Sequence, residues 1–467
     1  MKLYSENKNY KLYNGNMLDM LQVIEKESID SIVCDPPYEL NFMGKGWDNS
    51  GIAFNPETWK KCYEVLKPGG YLLAFGGSRT YHRIAVAIED AGFEIRDTIM
   101  WLYGSGFPKS MNIGLAIDKK NGVESEVIGI GQSGSSDTHT RTMNSETKDG
   151  KSAFGGEYEI KRATNKWNGW GTCLKPSFEP IIIARKPFKG SLVDNVIKNG
   201  VGGLNIDECR IEAIDKEELQ KNWINRKVPA GFNGDKSGIY GSGKTNDTKK
   251  YTPTGRFPAN TILTYDENDF DEVCGGFPNT KSVKSARGGA RNDGTTVYNK
   301  IPRNIEMNYE CGFNDSGSAS RYFYCAKASK KDRDEGLDEF QNVSGADITG
   351  RKEGSAGLVM EGGKQNPFAG KASPNNRNTH PTVKPTELMQ YLVRLVTPNN
   401  GTILDPFNGS GSTGKAVMYE NKERDKNYKY IGIELTEEYL PIAKARIEYV
   451  CNQIEEKQIT IDDVINE

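Results

Sequence analysis

Apolar positions along this chain gather into short β-branched runs separated by stretches of helical period, and the two alternate near both ends of the sequence. The run Ile29-Asp30-Ser31-Ile32-Val33-Cys34 predicts a buried strand over 28–34. A helix from Pro56 to Lys67 and a strand at Tyr71-Leu72-Leu73-Ala74-Phe75 follow. Residues 79–91 predict a helix with Ile84, Val86, Ala87 and Ile88 on its apolar face, and Phe93 to Leu102 a further strand. Far downstream the pattern resumes, with a helix from Thr386 to Val396, a strand at Thr402-Ile403-Leu404-Asp405 and a helix beginning near Thr413. A strand at Tyr430-Ile431-Gly432-Ile433-Glu434 and a long helix over 436–457 complete it. Strands alternating with helices imply an α/β fold with an open, doubly wound, mostly parallel sheet.

Between these ends the period loosens. After Gly104 a Gly/Ser-rich stretch, 129–156, predicts a loop, and Glu179-Pro180-Ile181-Ile182-Ile183-Ala184 a strand returning to the sheet. Residues 187–320 alternate short apolar runs, such as Thr261-Ile262-Leu263-Thr264, with turn-forming clusters. Arg321 to Ala326 is a further strand candidate, and the Gly/Asn/Pro-rich 344–378 predicts a linker. The expected organisation is therefore 1–124 and 376–467 as two halves of one core, with 125–375 as an insertion that also returns strands to it. Gly129-Ile130-Gly131-Gln132-Ser133-Gly134 has the glycine spacing of a dinucleotide loop, but no apolar helical period follows, so a flexible loop is expected there.

The length of 467 residues exceeds one ordinary domain, and a hydrophobic content of 36% suits loop-rich additions to a core. No apolar run approaches membrane-spanning length and no basic-then-apolar leader is present, so a soluble cytoplasmic protein is expected. The eight cysteines contain no Cys-x-x-Cys pair and there are only three histidines, which argues against a metal site. A net charge of -2 does not advertise a nucleic-acid partner, but its distribution does more. Within 226–260, Lys244, Lys249, Lys250 and Arg256 belong to a basic stretch, and Lys284, Arg287 and Arg291 to a second within 281–303. Both carry the Gly, Asn, Ser and Thr of loops that can follow a phosphate backbone, and a solvated surface is the alternative.

Two strand ends carry the chemistry. The first is Asp35-Pro36-Pro37-Tyr38, where an acid and two prolines close the apolar run. Proline fixes φ and removes backbone donors, so carbonyls and flanking side chains are held as acceptors suited to a flat amino group. The second is Asp405-Pro406-Phe407-Asn408-Gly409-Ser410-Gly411-Ser412-Thr413-Gly414, a glycine-rich strand-to-helix turn where a backbone can approach a ligand. Glu434, at the end of the next strand, is placed to accept hydrogen bonds from ribose hydroxyls.

Together these segments resemble DNA amino-methyltransferases of the β arrangement, in which the catalytic motif precedes the S-adenosylmethionine motif. Leu66-Lys67-Pro68-Gly69-Gly70-Tyr71-Leu72 resembles the turn and strand after the catalytic loop. His380-Pro381-Thr382-Val383-Lys384-Pro385 resembles the segment lining the methionine end of the cofactor, and Leu12-Tyr13-Asn14-Gly15-Asn16-Met17-Leu18 the one beside its adenine. The family commonly has aspartate where this chain has Asn16. The likeness covers about residues 1–120 and 375–450.

The resemblance implies that the strands ending at Asp35 and Asp405 are neighbours and that the insertion holds the target-recognition region. It implies S-adenosylmethionine as cofactor, cradled by Asn16, Met17, Asp35, Asp405, Phe407, Gly409 and Gly411, with Glu434 on the ribose and Lys384 on the methionine carboxylate. Asp35, Pro36, Pro37 and Tyr38 would act on a base flipped out of double-stranded DNA. An aspartate opening the loop points to adenine N6, with cytosine N4 as the alternative. A homodimer and a separate restriction endonuclease, or none, are left open. An RNA or protein-amide methyltransferase and an idle DNA-binding protein are rival readings. No proline is followed by cysteine, so the C5-cytosine nucleophile loop is absent and Cys34 is expected to be a buried strand residue.

Overall fold

A computed structural model describes residues 2–40, 46–103, 110–132, 157–212, 255–266, 277–281, 285–286, 310–311, 316–328, 330–343 and 377–466. Its centre is a ten-stranded sheet. In spatial order the strands are Lys2–Glu6, Tyr10–Asn14, Lys429–Glu434, Thr402–Asp405, Ile29–Cys34, Leu66–Phe75, Phe178–Arg185, Glu94–Tyr103, Thr261–Asp266 and Tyr324–Ala328. Pairing is parallel except within the hairpin of the first two strands and on both sides of Phe178–Arg185, which runs antiparallel to its neighbours.

Alternation along the central strands explains the layering, since successive side chains point to opposite faces. Ile32, Cys34, Leu72 and Ala74 pack with Trp59 and Cys62 of helix Pro56–Val65 and with Ile84 and Ile88 of helix Tyr81–Asp90. Val33, Leu73 and Phe75 face the other way, in the core formed with helices Thr386–Val396, Ser412–Arg424 and Leu440–Asn466. Helices on both faces of a mostly parallel sheet give the expected doubly wound architecture.

The strand Ile29–Cys34 joins sequence-distant halves. It pairs with Leu66–Phe75 on one side and, through Ser31 and Ile32, with Ile403 and Leu404 on the other. Asp30 fastens both joins, its Oδ1 2.6 Å from Lys67 Nζ and its Oδ2 accepting the Thr402 N–H at 2.7 Å. From the central pair the chain continues outwards in opposite directions, to Leu66–Phe75 and to Lys429–Glu434, so the crevice beyond Asp35 and Asp405 is a topological switch point.

Local differences from expectation have identifiable causes. Helix Pro56–Val65 ends before Lys67 and the next strand starts at once at Leu66, because Pro68 has no N–H to continue a helix. Residues 129–132, expected in a loop, belong to strand Glu126–Gln132, whose antiparallel partner Glu157–Arg162 lies too far along the chain for local turn propensity to reveal. Helix Ile113–Lys120, capped by the Asn112 side chain on Leu115 N–H, and helix Leu192–Asn199, capped by Ser191 on Asp194 N–H, were not expected. Residues 344–376 of the expected linker lie outside the described residues. Among the described residues no helix is long and apolar enough to cross a membrane, and no group of histidines, cysteines and acids could hold a metal.

Candidate active site

The loop that leaves strand Ile29–Cys34 is held by its own downstream residues. The Asp48 carboxylate accepts the Glu39 and Leu40 N–H groups at 2.9 and 3.2 Å, and Glu39 in turn accepts those of Gly51 and Ala53. Thr80 Oγ1 donates to the Tyr38 carbonyl at 2.8 Å. Pro36 is buried, and Asp35, Pro37 and Tyr38 are partly so. Cys34 is fully buried in the strand, as expected.

Asp35 faces a cation. Its Oδ2 lies 2.6 Å from the Lys384 ammonium, which also approaches Glu179 Oε2 at 3.6 Å. The buried ammonium is flanked by the rings of Phe75, Tyr38 and Trp101 at 5.1, 5.4 and 5.9 Å from their centroids. Lys384 was expected on a ligand carboxylate; here its charge is committed to two protein carboxylates, which offset the cost of burying it. The Tyr38 hydroxyl donates to Glu179 Oε2 at 2.6 Å, and Tyr103 adds a weaker bond to Oε1 at 3.4 Å. Among the described residues no donor reaches Asp35 Oδ1, which is shielded from solvent, while the Tyr38 hydroxyl close by favours the Asp35 anion. Burial raises the Asp35 pKa, Lys384 opposes that rise and Glu179 adds to it. A buried acceptor without a donor costs about 1–3 kcal/mol, so it asks for an explanation.

The glycine-rich turn lies alongside. Asp405 Oδ1 accepts the Phe407 N–H at 3.0 Å, and Oδ2 accepts the Thr413 hydroxyl at 2.6 Å, tying the end of the strand to the start of helix Ser412–Arg424. Gly409 and Gly411 sit at φ of +51° and +75°, where L side chains are strained. A Cβ on Gly411 would also come within 3.0 Å of Ala443, so this glycine lets the loop close onto helix Leu440–Asn466. Beneath the loop, buried Arg446 donates to the Ser410 carbonyl at 2.8 Å, while its Nε and Nη2 find no acceptor among the described residues. Glu434 holds the loop from the next strand, its Oε2 accepting the Gly409 N–H at 2.6 Å and its Oε1 that of Thr436 at 2.7 Å. Phe407 lies beside Trp59, with ring centroids 6.2 Å apart.

The amino-terminal segment reaches the same place through register, since Asn14 pairs with Glu434 and the Gly15 N–H donates to the Glu434 carbonyl. Asn16 is exposed, and its Oδ1 caps helix Met17–Met20 through the Leu18 N–H at 2.9 Å. That leaves the amide nitrogen as the more available end. Met17 points into the core. His380 is held neutral, its pKa pushed down to about 3 by burial and by the cations Lys384, Arg446 and Arg333, which suits a positioning residue.

The expected phosphate-binding residues are a different matter. Lys244, Lys249, Lys250, Lys284, Arg287 and Arg291 lie outside the described residues. Arg256 is buried, with its guanidinium 5.2 Å from the Tyr322 ring centroid. It belongs to a two-residue strand, Gly255–Arg256, paired with Ile211–Glu212.

Asp405 yields a pH prediction. Burial pushes its pKa up to about 7, against the hydrogen bonds from Thr413 and Phe407 that favour the anion. The folded value lies above the unfolded one, so this group's contribution to stability is complete below pH about 4 and is lost as pH rises through about 7. Asp405→Asn preserves the acceptor for Phe407 N–H, and the Thr413 hydroxyl can turn to accept from the amide. The melting temperature of the variant relative to the parent should climb between pH 4 and 7 and then level off. A difference independent of pH would contradict this.

A family model described as DNA methylase matches residues 29–445. The type II methyltransferase M.HindIII of Haemophilus influenzae is 27% identical over 238 residues, covering 42% of this chain and 64% of that protein. The type II methyltransferase M.HpaI of Haemophilus parainfluenzae is 33% identical over 109 residues, covering 21% and 34%. These matches thus span less than two thirds of either relative. Among solved structures, PvuII DNA methyltransferase (cytosine-N4-specific) aligns over 97% of this chain and 96% of its own, at 12% identity and a TM-score of 0.39.

Proposed function

The chain belongs to the DNA methylase family, and from that premise we propose that it transfers a methyl group from S-adenosylmethionine to the N6 amino group of adenine in duplex DNA. The observation that carries the reading is Asp35 Oδ1, a buried acceptor that no donor among the described residues reaches, at the switch point of the sheet. Such an atom is explained if it is reserved for the hydrogen of an incoming amino group.

The residues around the glycine-rich turn fit the cofactor. The Glu434 carboxylate is fixed by two backbone N–H groups and retains lone pairs for hydroxyls, and Phe407, backed by the buried Trp59, supplies an apolar wall. Arg446 keeps a buried cation with unused donors behind the loop, in keeping with an anionic group nearby. Gly409, Gly411 and Glu434 would hold the cofactor, together with the Asn14–Met17 segment. When bound, S-adenosylmethionine supplies a sulfonium methyl group open to attack by nitrogen.

The chain's own part is to position and to neutralise. An amino group paired inside a duplex is out of reach, so the target base must be extruded, with Tyr38 offering the ring on which it stacks. Asp35 Oδ1 and the Pro36 carbonyl accept the two amino hydrogens and draw the nitrogen lone pair out of conjugation. Positive charge that gathers on this nitrogen meets a fixed carboxylate already in place, which lowers the barrier without reorganisation. Asp35 Oδ1 then takes the surplus proton or passes it to water.

Adenine is preferred over cytosine by resemblance, because the loop opens with Asp35, as in the adenine enzymes this chain resembles, where most cytosine-N4 relatives carry serine. DNA methylated in vitro, hydrolysed to nucleosides and separated, should contain N6-methyladenine. N4-methylcytosine without N6-methyladenine would overturn the base assignment and leave the family unaffected.

A further inference from the structure

We propose that Glu179 is a positioning residue of the catalytic loop, holding Lys384 on Asp35 Oδ2 and the Tyr38 hydroxyl beside it, so that Asp35 Oδ1 alone is left for the target amine. This rests on the methyl-transfer reading and adds to it a residue from outside both motifs.

Topology is the first support. Glu179 lies at the beginning of Phe178–Arg185, which is inserted antiparallel between Leu66–Phe75 and Glu94–Tyr103. An antiparallel strand starts where its parallel neighbours end, and Glu179 pairs with Trp101 near the end of Glu94–Tyr103. An acid here faces the crevice, whereas an acid at the far end of the same strand would face away from it.

Geometry is the second. Glu179 Oε2 serves both Tyr38, at 2.6 Å, and Lys384, at 3.6 Å, and so spans the two ends of the catalytic tetrapeptide. Lys384 in turn takes one oxygen of Asp35, which makes the two oxygens inequivalent. Without Glu179, Tyr38 loses its acceptor at Oε2 and Lys384 keeps a single carboxylate partner among those described.

Charge gives the test. The groups acting on the Asp35 carboxyl are Lys384 and the Tyr38 hydroxyl, which favour its ionisation, and Glu179, which disfavours it. Asp405 and Cys34 lie close enough to feel its charge. Glu179→Gln keeps the shape and an acceptor for Tyr38 but removes one negative charge. Asp35 should then titrate at lower pH.

Single-turnover methyl transfer to duplex DNA should be followed from pH 4 to 9 for the parent, Glu179→Gln and Glu179→Asp. The Asp35 carboxyl should be titrated in parallel by carbon-13 NMR of aspartate-labelled protein, with Asp35→Asn identifying the resonance. In Glu179→Gln the acid limb and the NMR midpoint should both fall by about one pH unit, the size expected for a like charge at this range. The plateau rate should drop about tenfold, as for one lost alignment contact, with the KM for S-adenosylmethionine within about twofold. Glu179→Asp, which keeps the charge, should retain the parental midpoint. An unmoved midpoint in Glu179→Gln would overturn the proposal, even if activity were lower throughout. If Glu179→Gln fails to fold, Glu179→Asn compared with Glu179→Asp asks the same question. A parent that methylates no duplex DNA would count against the methyl-transfer reading, while the NMR titration would still decide the placement of Glu179.

Discussion

Asp35→Ala is expected to lower methyl transfer by about a hundredfold or more while leaving S-adenosylmethionine binding within a few-fold, because the interaction removed belongs to the transition state. A hundredfold is about 2.7 kcal/mol of barrier, more than the roughly 0.5–1.5 kcal/mol of an ordinary neutral hydrogen bond. The size of the loss therefore separates charge stabilisation from simple contact. Asp35→Ala also strips Lys384 of its 2.6 Å partner, so the variant carries a second defect. Asp35→Asn removes that ambiguity, since its amide oxygen still accepts from Lys384 while the negative charge is gone. Both variants should be severely impaired in single-turnover assays at matched cofactor occupancy. Near-parental turnover by Asp35→Asn would mean that the carboxylate charge is not what the reaction uses.

The second large effect concerns folding. Lys415 is fully buried in helix Ser412–Arg424, with its ammonium 2.6 Å from Asp332 and 2.8 Å from Glu335. Asp332 also accepts from the Thr386 N–H and hydroxyl, and Arg333 donates to the Asn378 and His380 carbonyls. A short stretch around 332–335 thus locks the helix behind the glycine-rich turn to the segment that delivers Lys384. Burial works against the Asp332 anion, yet Lys415 and Thr386 hold its pKa below the usual range, as expected of an intact buried pair. Lys415→Met keeps most of the volume and leaves both acids without the cation, which should cost about 3–5 kcal/mol. A urea titration of the parent and variant reads this directly, and a loss below about 1 kcal/mol would show that the acids are satisfied without Lys415.

Much of this site was legible because its two loops follow the same local rule. Asp35 and Asp405 each close a β-branched run and open a turn, and an α/β sheet brings such ends together. Glu179 was less legible for a definite reason. It precedes Pro180 and an apolar run, which marks a strand, but its value comes from that strand running against its neighbours. Direction is set by tertiary pairing and not by local pattern. Its bond to Tyr38 crosses 141 residues, and that from Asp332 to Lys415 crosses 83. Burial of Arg256 was not legible either, since basic composition describes a segment while burial is decided residue by residue. The hairpin ending at Arg162 was missed likewise, because its two strands lie on either side of a long Gly/Ser-rich stretch.

The seam between Ile29–Cys34 and Thr402–Asp405 has a consequence for biogenesis. The Asp30 side chain and the Thr402 backbone that bond across it are 372 positions apart. During synthesis the strand Ile29–Cys34 remains without this neighbour until the 372 positions between them have been made. Closing so long a loop before its contacts can form makes for slow assembly. It also delays the meeting of the two loops to a late step in folding. A nascent chain that has exposed Asp35 but not yet Asp405 holds only one of the two loops of the candidate site, so the site can form only once the seam closes.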